Sequence, residues 1–593
     1  TVGQAQAAAA AAAALLAEAR GSLLSKKSYP PERDVSQEEP RVGVFVCHCG
    51  INIAGVVDVP GVTEYVKTLP HVVYADHLTF SCATDSLVHI RQMVQEHRLN
   101  RVVVAACSPR THEPLFQETL RQVGLNKYLF EMANIRDQDA WVHQGEPEKA
   151  TALARDLIRM AVGRALQLEP FQETRFQVVP RGLVVGGGLA GLTAALTLAQ
   201  AGYECTVVEK EAAVGGLART PHLTREGRSV SAYLDDLVRE IQQDTRIQVL
   251  TGAQVVDFRG HLGKFISVVK TDDGRHLEIA HGATVLAPGA VPYQPEGYLY
   301  GQAEGVLTLS ELAEWQATGQ ALPPGRTMVM ILCVGSREPD YPLCSRVCCT
   351  HAVVAAGRLK TQDPSSQVVI LYRDIRTFGF NELYYQQARS LGVRFIRFAL
   401  PRRPEVTAAG GRLRVRVFDE NLRTPVVIPA DYLVLGTGFR PSPGLREASR
   451  LYKLPVDMDG FFLEAHVKLR PLDFASSGFF LAGLAHAPKF TEEVIAQGRG
   501  AAVRAMGILA QPTMELSGAV AFVHTGECVR CLNCLRVCPY GAPHFDPALG
   551  RVGIDPATCQ GCGLCCATCP ALAIDLHHSR DRQFSGLLEA FSP

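Results

Sequence analysis

Gly182-Leu183-Val184-Val185-Gly186-Gly187-Gly188-Leu189-Ala190-Gly191 is the stretch on which the fold turns. Uncharged residues run from Leu183 to Tyr203, 21 in all, long enough to pass a crude membrane-span filter, but five are glycines and three of those directly follow an apolar strand. Gly186, Gly188 and Gly191 form a G-x-G-x-x-G turn that permits a tight bend, close approach of backbone to a pyrophosphate, and close packing of the next helix, where Ala190 sits. The following strand, Cys205–Val208, runs into Glu209, placed to accept from a ribose hydroxyl, with Lys210 beside it and Gly215-Gly216 beyond. Strand, turn, helix, acid and glycine pair in this order predict an FAD site.

Further along, Val285-Leu286-Ala287-Pro288-Gly289 and Val434-Leu435-Gly436-Thr437-Gly438 read as two crossings between nucleotide domains, adding Ala287, Gly289, Thr437 and Gly438 to the expected flavin contacts. The predicted fold class is α/β, with a two-nucleotide disulfide-reductase-like (thioredoxin-reductase-like) core. Its FAD domain covers 175–325 and 441–510, with a second nucleotide domain inserted at 326–440. That insert opens with the strand Thr327–Leu332, after which a glycine loop for NAD(P)H is expected. Cys333-Val334-Gly335-Ser336-Arg337-Glu338 stands there instead, and a single glycine crowded by Arg and Glu does not cradle a pyrophosphate. Cys333, Cys344, Cys348 and Cys349 could bind a cluster at that place; a redox-active thiol pair is the competing reading.

From 511 to 593 the chain becomes a small cysteine-rich domain. Cys528-x2-Cys531-x2-Cys534-x3-Cys538-Pro539 and Cys559-x2-Cys562-x2-Cys565-x3-Cys569-Pro570 are two bacterial ferredoxin runs, in which the fourth cysteine ligates the other cluster. One [4Fe–4S] site is therefore expected from Cys528, Cys531, Cys534 and Cys569, and the other from Cys559, Cys562, Cys565 and Cys538. Zinc is the competing reading, and Cys566 is spare.

The block 41–150 has a βαβ rhythm, with strands expected at Val42–Val46, Val72–Leu78 and Val102–Ala106. Strand ends meet at the ligand edge of such sheets, so Cys47, Cys49, Cys82 and Cys107 could converge on a cluster; structural cysteines buried in the core are the alternative. Residues 1–40 read as an Ala-rich helix (1–24) and a charged, proline-containing linker. Val494–Ala510 aligns without gaps to Thr1–Ala17, sharing Gln497 with Gln4. Two unrelated Ala-rich helices explain this; the other expectation is that the chain continues a longer polypeptide whose preceding part ended in a flavin-domain helix.

Lys+Arg and Asp+Glu number 59 each, so no basic surplus exists for a phosphate backbone and nucleic acid is excluded as a partner. With 47% hydrophobic residues several cores can form, and 18 cysteines in tight runs suit metal in a reducing compartment, the cytoplasm.

Val44-Phe45-Val46-Cys47-His48-Cys49-Gly50, Ala106-Cys107-Ser108-Pro109-Arg110-Thr111-His112-Glu113-Pro114, Cys333-Val334-Gly335-Ser336-Arg337 and Cys344-Ser345-Arg346-Val347-Cys348-Cys349 together resemble the A-type subunit of heterodisulfide reductase, from about Arg41 to the end of the tail. The resemblance implies an electron-transfer oxidoreductase component carrying FAD and iron–sulfur clusters, with an unusual [4Fe–4S] cluster at the Cys333 to Cys349 set and a further one in the N-terminal domain, making four. It also implies that Phe462–Pro471 returns the chain to the flavin, where Lys468 would compensate negative charge. Two departures stand out. No extra ferredoxin insertion follows Gly216, and Gly483-Leu484-Ala485-His486 replaces the Gly-Asp of related reductases, so the ribitol contact falls to backbone groups or His486. Implied partners are subunits resembling heterodisulfide reductase B and C, ferredoxin, and a hydrogenase, formate dehydrogenase or nicotinamide-oxidising module. Electron bifurcation between a disulfide-type acceptor and ferredoxin is implied as well. Two rivals remain: an NAD(P)H-dependent flavin reductase of the glutamate-synthase small-subunit type, and a non-enzymatic electron wire.

Overall fold

The computed structural model describes residues 2–22, 27–173, 175–320, 323–515 and 520–591. The chain divides into two compact bodies, one of residues 1–23 and 177–514, the other of 24–176 and 515–593.

The larger body contains two domains of one plan. In the first, a parallel sheet has the order Phe479–Leu481, Ala283–Leu286, Arg181–Val185, Glu204–Val208, Ile247–Leu250, beside an antiparallel sheet of Ala253–His261, Lys264–Thr271 and His276–His281. In the second, the parallel order is Val306–Thr308, Tyr432–Thr437, Thr327–Val334, Gln367–Tyr372, Arg394–Arg397, again with three antiparallel strands, Glu405–Ala409, Arg412–Asp419 and Thr424–Ala430. Central strands such as Thr327–Val334 are almost wholly buried and continuously apolar, as parallel strands covered on both faces must be. The crossings meet where Ala290–Pro292 pairs antiparallel with Phe439–Pro441. The first helix is shorter than expected: it runs Val2–Leu15 rather than 1–24, giving way to turns, and residues 1, 23 and 24 lie outside the described residues. It packs on Thr491–Leu509, the helix it resembles, with Gln6 against Gly500.

In the other body a parallel sheet runs Val72–Leu78, Val42–Cys47, Arg101–Ala106, Phe130–Asn134. The last strand, FEMAN, carries few β-forming residues and escapes a pattern reading. The cysteine-rich tail forms two hairpins, Ala521–Val523 with Ile574–Leu576 and Pro543–Asp546 with Arg551–Ile554. Its final helix, Asp581–Phe591, packs on Pro147–Leu166; a Cβ on Gly163 would strike the Gly586 carbonyl, so only glycine allows this approach. Arg164 ties the two parts further, holding Glu131 at 2.7 Å and donating to the His578 carbonyl at 2.7 Å.

Candidate functional site

At the first glycine turn two positions are enforced by backbone. Gly186 is left-handed (φ +108) and a Cβ there would collide with the Ala287 carbonyl, while one on Gly191 would collide with the Gly186 carbonyl. Gly188 is different: nothing lies within 4 Å of where its Cβ would stand, and it gives the helix Leu189–Gln200 no capping side chain. An open space before an uncapped helix N-terminus fits a pyrophosphate. Glu209 is buried at the strand end, accepting from Gly187 N at 2.6 Å and Glu211 N at 2.9 Å. Gly215 N donates to Gly187 O at 2.7 Å, tying the Gly215-Gly216 pair to the turn. Ala190 meets the returning chain at Gly483, where a Cβ would come within 2.7 Å of it. Gly289 is left-handed with open space beside it. Lys210 is exposed and faces Glu211 at 3.6 Å.

The returning segment is built around His486, next to half-buried Leu484. Gln497 accepts from Gly483 N (3.1 Å) and meets His486 Nδ1 (3.2 Å); Glu464 meets His486 Nε2 at 3.5 Å. Burial, with Lys489 nearby, pulls the imidazole down to about 4, so it is neutral near pH 7. Burial also pulls Lys489 down to about 8. Lys468 is exposed on a turn in which its own N–H donates to His466 Nδ1, and its segment reaches His486 through Glu464, which also accepts from Leu472 N. Sequence reasoning misses Glu464, Gln497 and Lys489 as functional residues. Glu464 lies inside Phe462–Pro471, the passage expected at the flavin, and Gln497 stands out in the sequence only through the likeness between two helices.

In the second domain, Cys333 sits at a bulge ending its strand, left-handed at φ +63 without being glycine. Such backbone costs of order 1–3 kcal/mol and marks a constrained site. Cys333, Cys348 and Cys349 are buried and Cys344 half-buried, all within electrostatic reach of one another. Burial raises the Cys333 thiol to about 11, opposed by Arg337 and Arg373. Cys349 falls to about 7, first through its hydrogen bond with Cys348 and then through Arg376 and Arg337. Arg346 N donates to Cys344 Sγ at 3.3 Å. The Tyr293 ring occupies the space where a Gly335 side chain would stand, and Arg440 lies over Tyr293 (4.8 Å) and Tyr341 (3.3 Å) while donating to the Gly335 carbonyl. Gly438 packs against Ser336 and Ser345 of this cysteine loop, and Ser345 Oγ accepts from Phe439 N; Thr437 precedes it at the end of its strand.

In the tail the thiols divide into two sites: Cys528, Cys531, Cys534 and Cys569 line one, and Cys538, Cys559, Cys562 and Cys565 line the other. Each run curls with left-handed residues at the same offsets, Arg530 and Leu532 in one, Gly561 and Gly563 in the other. Ala521 N and Gly561 N donate to Cys559 Sγ, and Ala573 N to Cys569 Sγ at 3.3 Å. The spare Cys566 donates a hydrogen bond to Cys565, which pulls the Cys565 thiol down.

At the N-terminal sheet edge Cys47 and Cys107 are buried, Cys49 half-buried and Cys82 exposed. Cys107 feels Cys47 and Cys82, and Cys47 feels Cys49; burial raises both buried thiols, with Arg136 opposing at Cys107 and Ser81 at Cys47. Among the described residues no three His, Cys, Asp or Glu side chains converge tightly enough for a single metal ion. Two sites each lined by four thiols suit a cubane better than zinc. No helix among the described residues is long and apolar enough to cross a membrane.

Residues 180–336 match the family profile "Pyridine nucleotide-disulphide oxidoreductase", and 521–580 match "4Fe-4S dicluster domain". The chain is 33% identical to the A-type subunit of the "H(2):CoB-CoM heterodisulfide,ferredoxin reductase" of Methanothermobacter thermautotrophicus, over 94% of this chain and 98% of that protein. It is 34% identical to the second A-type iron–sulfur subunit of the "CoB--CoM heterodisulfide reductase" of Methanopyrus kandleri (86% and 92%), and 32% to the A-type subunit of the "Ferredoxin:CoB-CoM heterodisulfide reductase" of Methanosarcina mazei (84% and 75%).

Proposed function

This chain belongs to the heterodisulfide reductase A-type subunit family, and on that premise we propose that it is the electron-relaying component of a heterodisulfide-reductase-like complex, with one FAD and four [4Fe–4S] clusters. The observation that carries this reading is the second nucleotide domain. Where a nicotinamide dinucleotide would dock, Tyr293 closes the turn and four cysteines gather. That disfavours a self-contained NAD(P)H-dependent flavin reductase and hands the supply of electrons to a partner.

When bound, FAD would supply exchange between two-electron and one-electron steps, and the clusters one-electron steps alone. Gly188 leaves room for its pyrophosphate, Gly186 and Gly191 let the turn and the next helix close beside it, and Glu209 would accept from a ribose hydroxyl. Gln497 and Glu464 orient His486 beside the returning segment, and burial keeps it neutral. N–H groups aimed at Cys344, Cys559 and Cys569 favour thiolate and would raise cluster potentials.

The donor is a hydrogenase, formate dehydrogenase or nicotinamide-oxidising module; subunits resembling heterodisulfide reductase B and C carry the disulfide-type acceptor, and ferredoxin takes the second branch of a bifurcation. We place the protein in the cytoplasm, a reducing compartment that cysteines in tight cluster-type runs suit. Anaerobic purification with counts of iron, sulfide and flavin tests the core of this. About 16 iron and one FAD per chain are expected. About 8 iron would confine clusters to the tail and return the Cys333 to Cys349 set to thiol redox chemistry. Bifurcation falls if the purified complex reduces its acceptor with no coupled reduction of ferredoxin.

A further inference from the structure

The chain is neutral as a whole, yet its charge is unevenly divided. Between Arg326 and Arg440 stand 17 Lys and Arg against nine Asp and Glu; since the totals are 59 each, acids exceed bases by eight elsewhere. The surplus lies on the second nucleotide domain, and part of it surrounds the loop covering Cys349. Cys349 Sγ donates to the Asp374 carbonyl at 3.6 Å, and the Asp374 side chain is 46% exposed, so one layer of backbone separates this thiol from solvent. Arg376 is exposed on that loop, and Arg397, 57% exposed, reaches it by donating to the Arg373 carbonyl and lying 3.6 Å from the Asp374 carboxylate, which neutralises part of its charge. Four and seven positions after Arg376 stand apolar groups open to solvent: Phe380 is 89% exposed and Leu383 61%.

Exposed arginines with aromatic and aliphatic anchors near a buried set of four thiols are a recognisable combination, although Asp374 and Glu382 stand among them. Opposite charge steers and orients the partner, and the apolar centre holds it. We propose that this face, Arg376, Arg397, Phe380 and Leu383 over Cys349, docks an acidic one-electron carrier protein of the ferredoxin class. Each encounter moves one electron between the carrier's cluster and the Cys333 to Cys349 set, with no bond made or broken. The electron-transfer step rests on that set holding a cluster; the docking does not.

The full-length protein, loaded with iron and flavin, is titrated with a purified acidic bacterial 2[4Fe–4S] ferredoxin at low salt. R376E/R397E is expected to raise Kd about tenfold. R412E/R414E, the same charge change on exposed residues of the antiparallel sheet of that domain, should leave Kd within about twofold. F380S, which alters no charge, should weaken binding at all salt concentrations, and iron and flavin counts show that each variant is folded. Equal weakening by both charge pairs would overturn the proposal, as would wild-type affinity unchanged between about 20 and about 300 mM salt. If R376E/R397E abolishes self-association instead, the face belongs to a second copy and the proposal fails. Ferredoxin binding by a chain holding only about 8 iron would sink the relay while leaving the docking face intact.

Discussion

In the first nucleotide domain the strand Arg181–Val185 hands over to three glycines and an open space at Gly188; in the second, Thr327–Val334 hands over to left-handed Cys333, and the space beside Gly335 holds the ring of Tyr293. The two domains share the order of four parallel strands, a flanking antiparallel sheet and the position of the turn, and differ in where the chain supplies the fifth strand. What each can bind is thus decided by a few side chains at a strand end, not by the fold. The second turn also carries strain that the first avoids. Cys333, Arg337 and Arg346 all take left-handed backbone, where the first turn uses glycine.

The most severe break of this comparison is to give the first turn a side chain. In G191V the new Cβ meets the Gly186 carbonyl, and no rotamer relieves a clash with backbone. Flavin per chain should fall at least about tenfold, read from absorbance after anaerobic purification, with iron retained. Equal flavin in variant and wild type would remove the FAD site from this turn. Next in size is C348S in the second turn. It should lose about four iron per chain and keep its flavin, so that each turn controls its own cofactor; loss of both together would make them one site. Y293A sharpens the contrast further. Removing a half-buried ring should cost about 1–3 kcal/mol in denaturant unfolding, but should not create NADH oxidation, because the loop still lacks a glycine cradle. Rapid NADH oxidation by Y293A would mean that the ring alone had excluded the nucleotide.

These features differ in how legible they are. The flavin turn can be read because glycine at 186 and 191 is a steric requirement of closely approaching backbone, visible in residue type alone. The two tail sites can be read because tight spacing in each run fixes three of the thiols that meet, and the repeated run before proline supplies the fourth from the other half. The N-terminal thiols cannot be resolved the same way: their approach depends on sheet order and on strand ends tens of residues apart, and the edge strand Phe130–Asn134 carries few β-forming residues. Tyr293 is invisible in the sequence, since it acts on a turn more than forty positions later. The first helix is shorter than its composition suggests because Ala and Leu propensity continues past Leu15 while the helix does not.

The smallest expected effect concerns the tie between the two turns. Arg346, between Cys344 and Cys348, places Nη2 at 2.6 Å from Glu493 Oε1 and Nη1 near the Pro488 carbonyl, so the cysteine loop is joined to the head of the helix Thr491–Leu509 beside His486. Both side chains are about a third exposed, at 34% and 35%, and solvent screens the pair. A double-mutant cycle of R346Q and E493Q should give a coupling of about 0.5–1 kcal/mol in unfolding. Arg346 also holds φ +48, a cost that glutamine inherits and glycine does not. R346G should therefore be no less stable than R346Q, the relief of about 1 kcal/mol offsetting glycine's greater entropy in the unfolded chain. If R346G is clearly the weaker of the two, the left-handed turn carries no strain at this position, and the contrast between the two turns narrows to the cysteines and Tyr293.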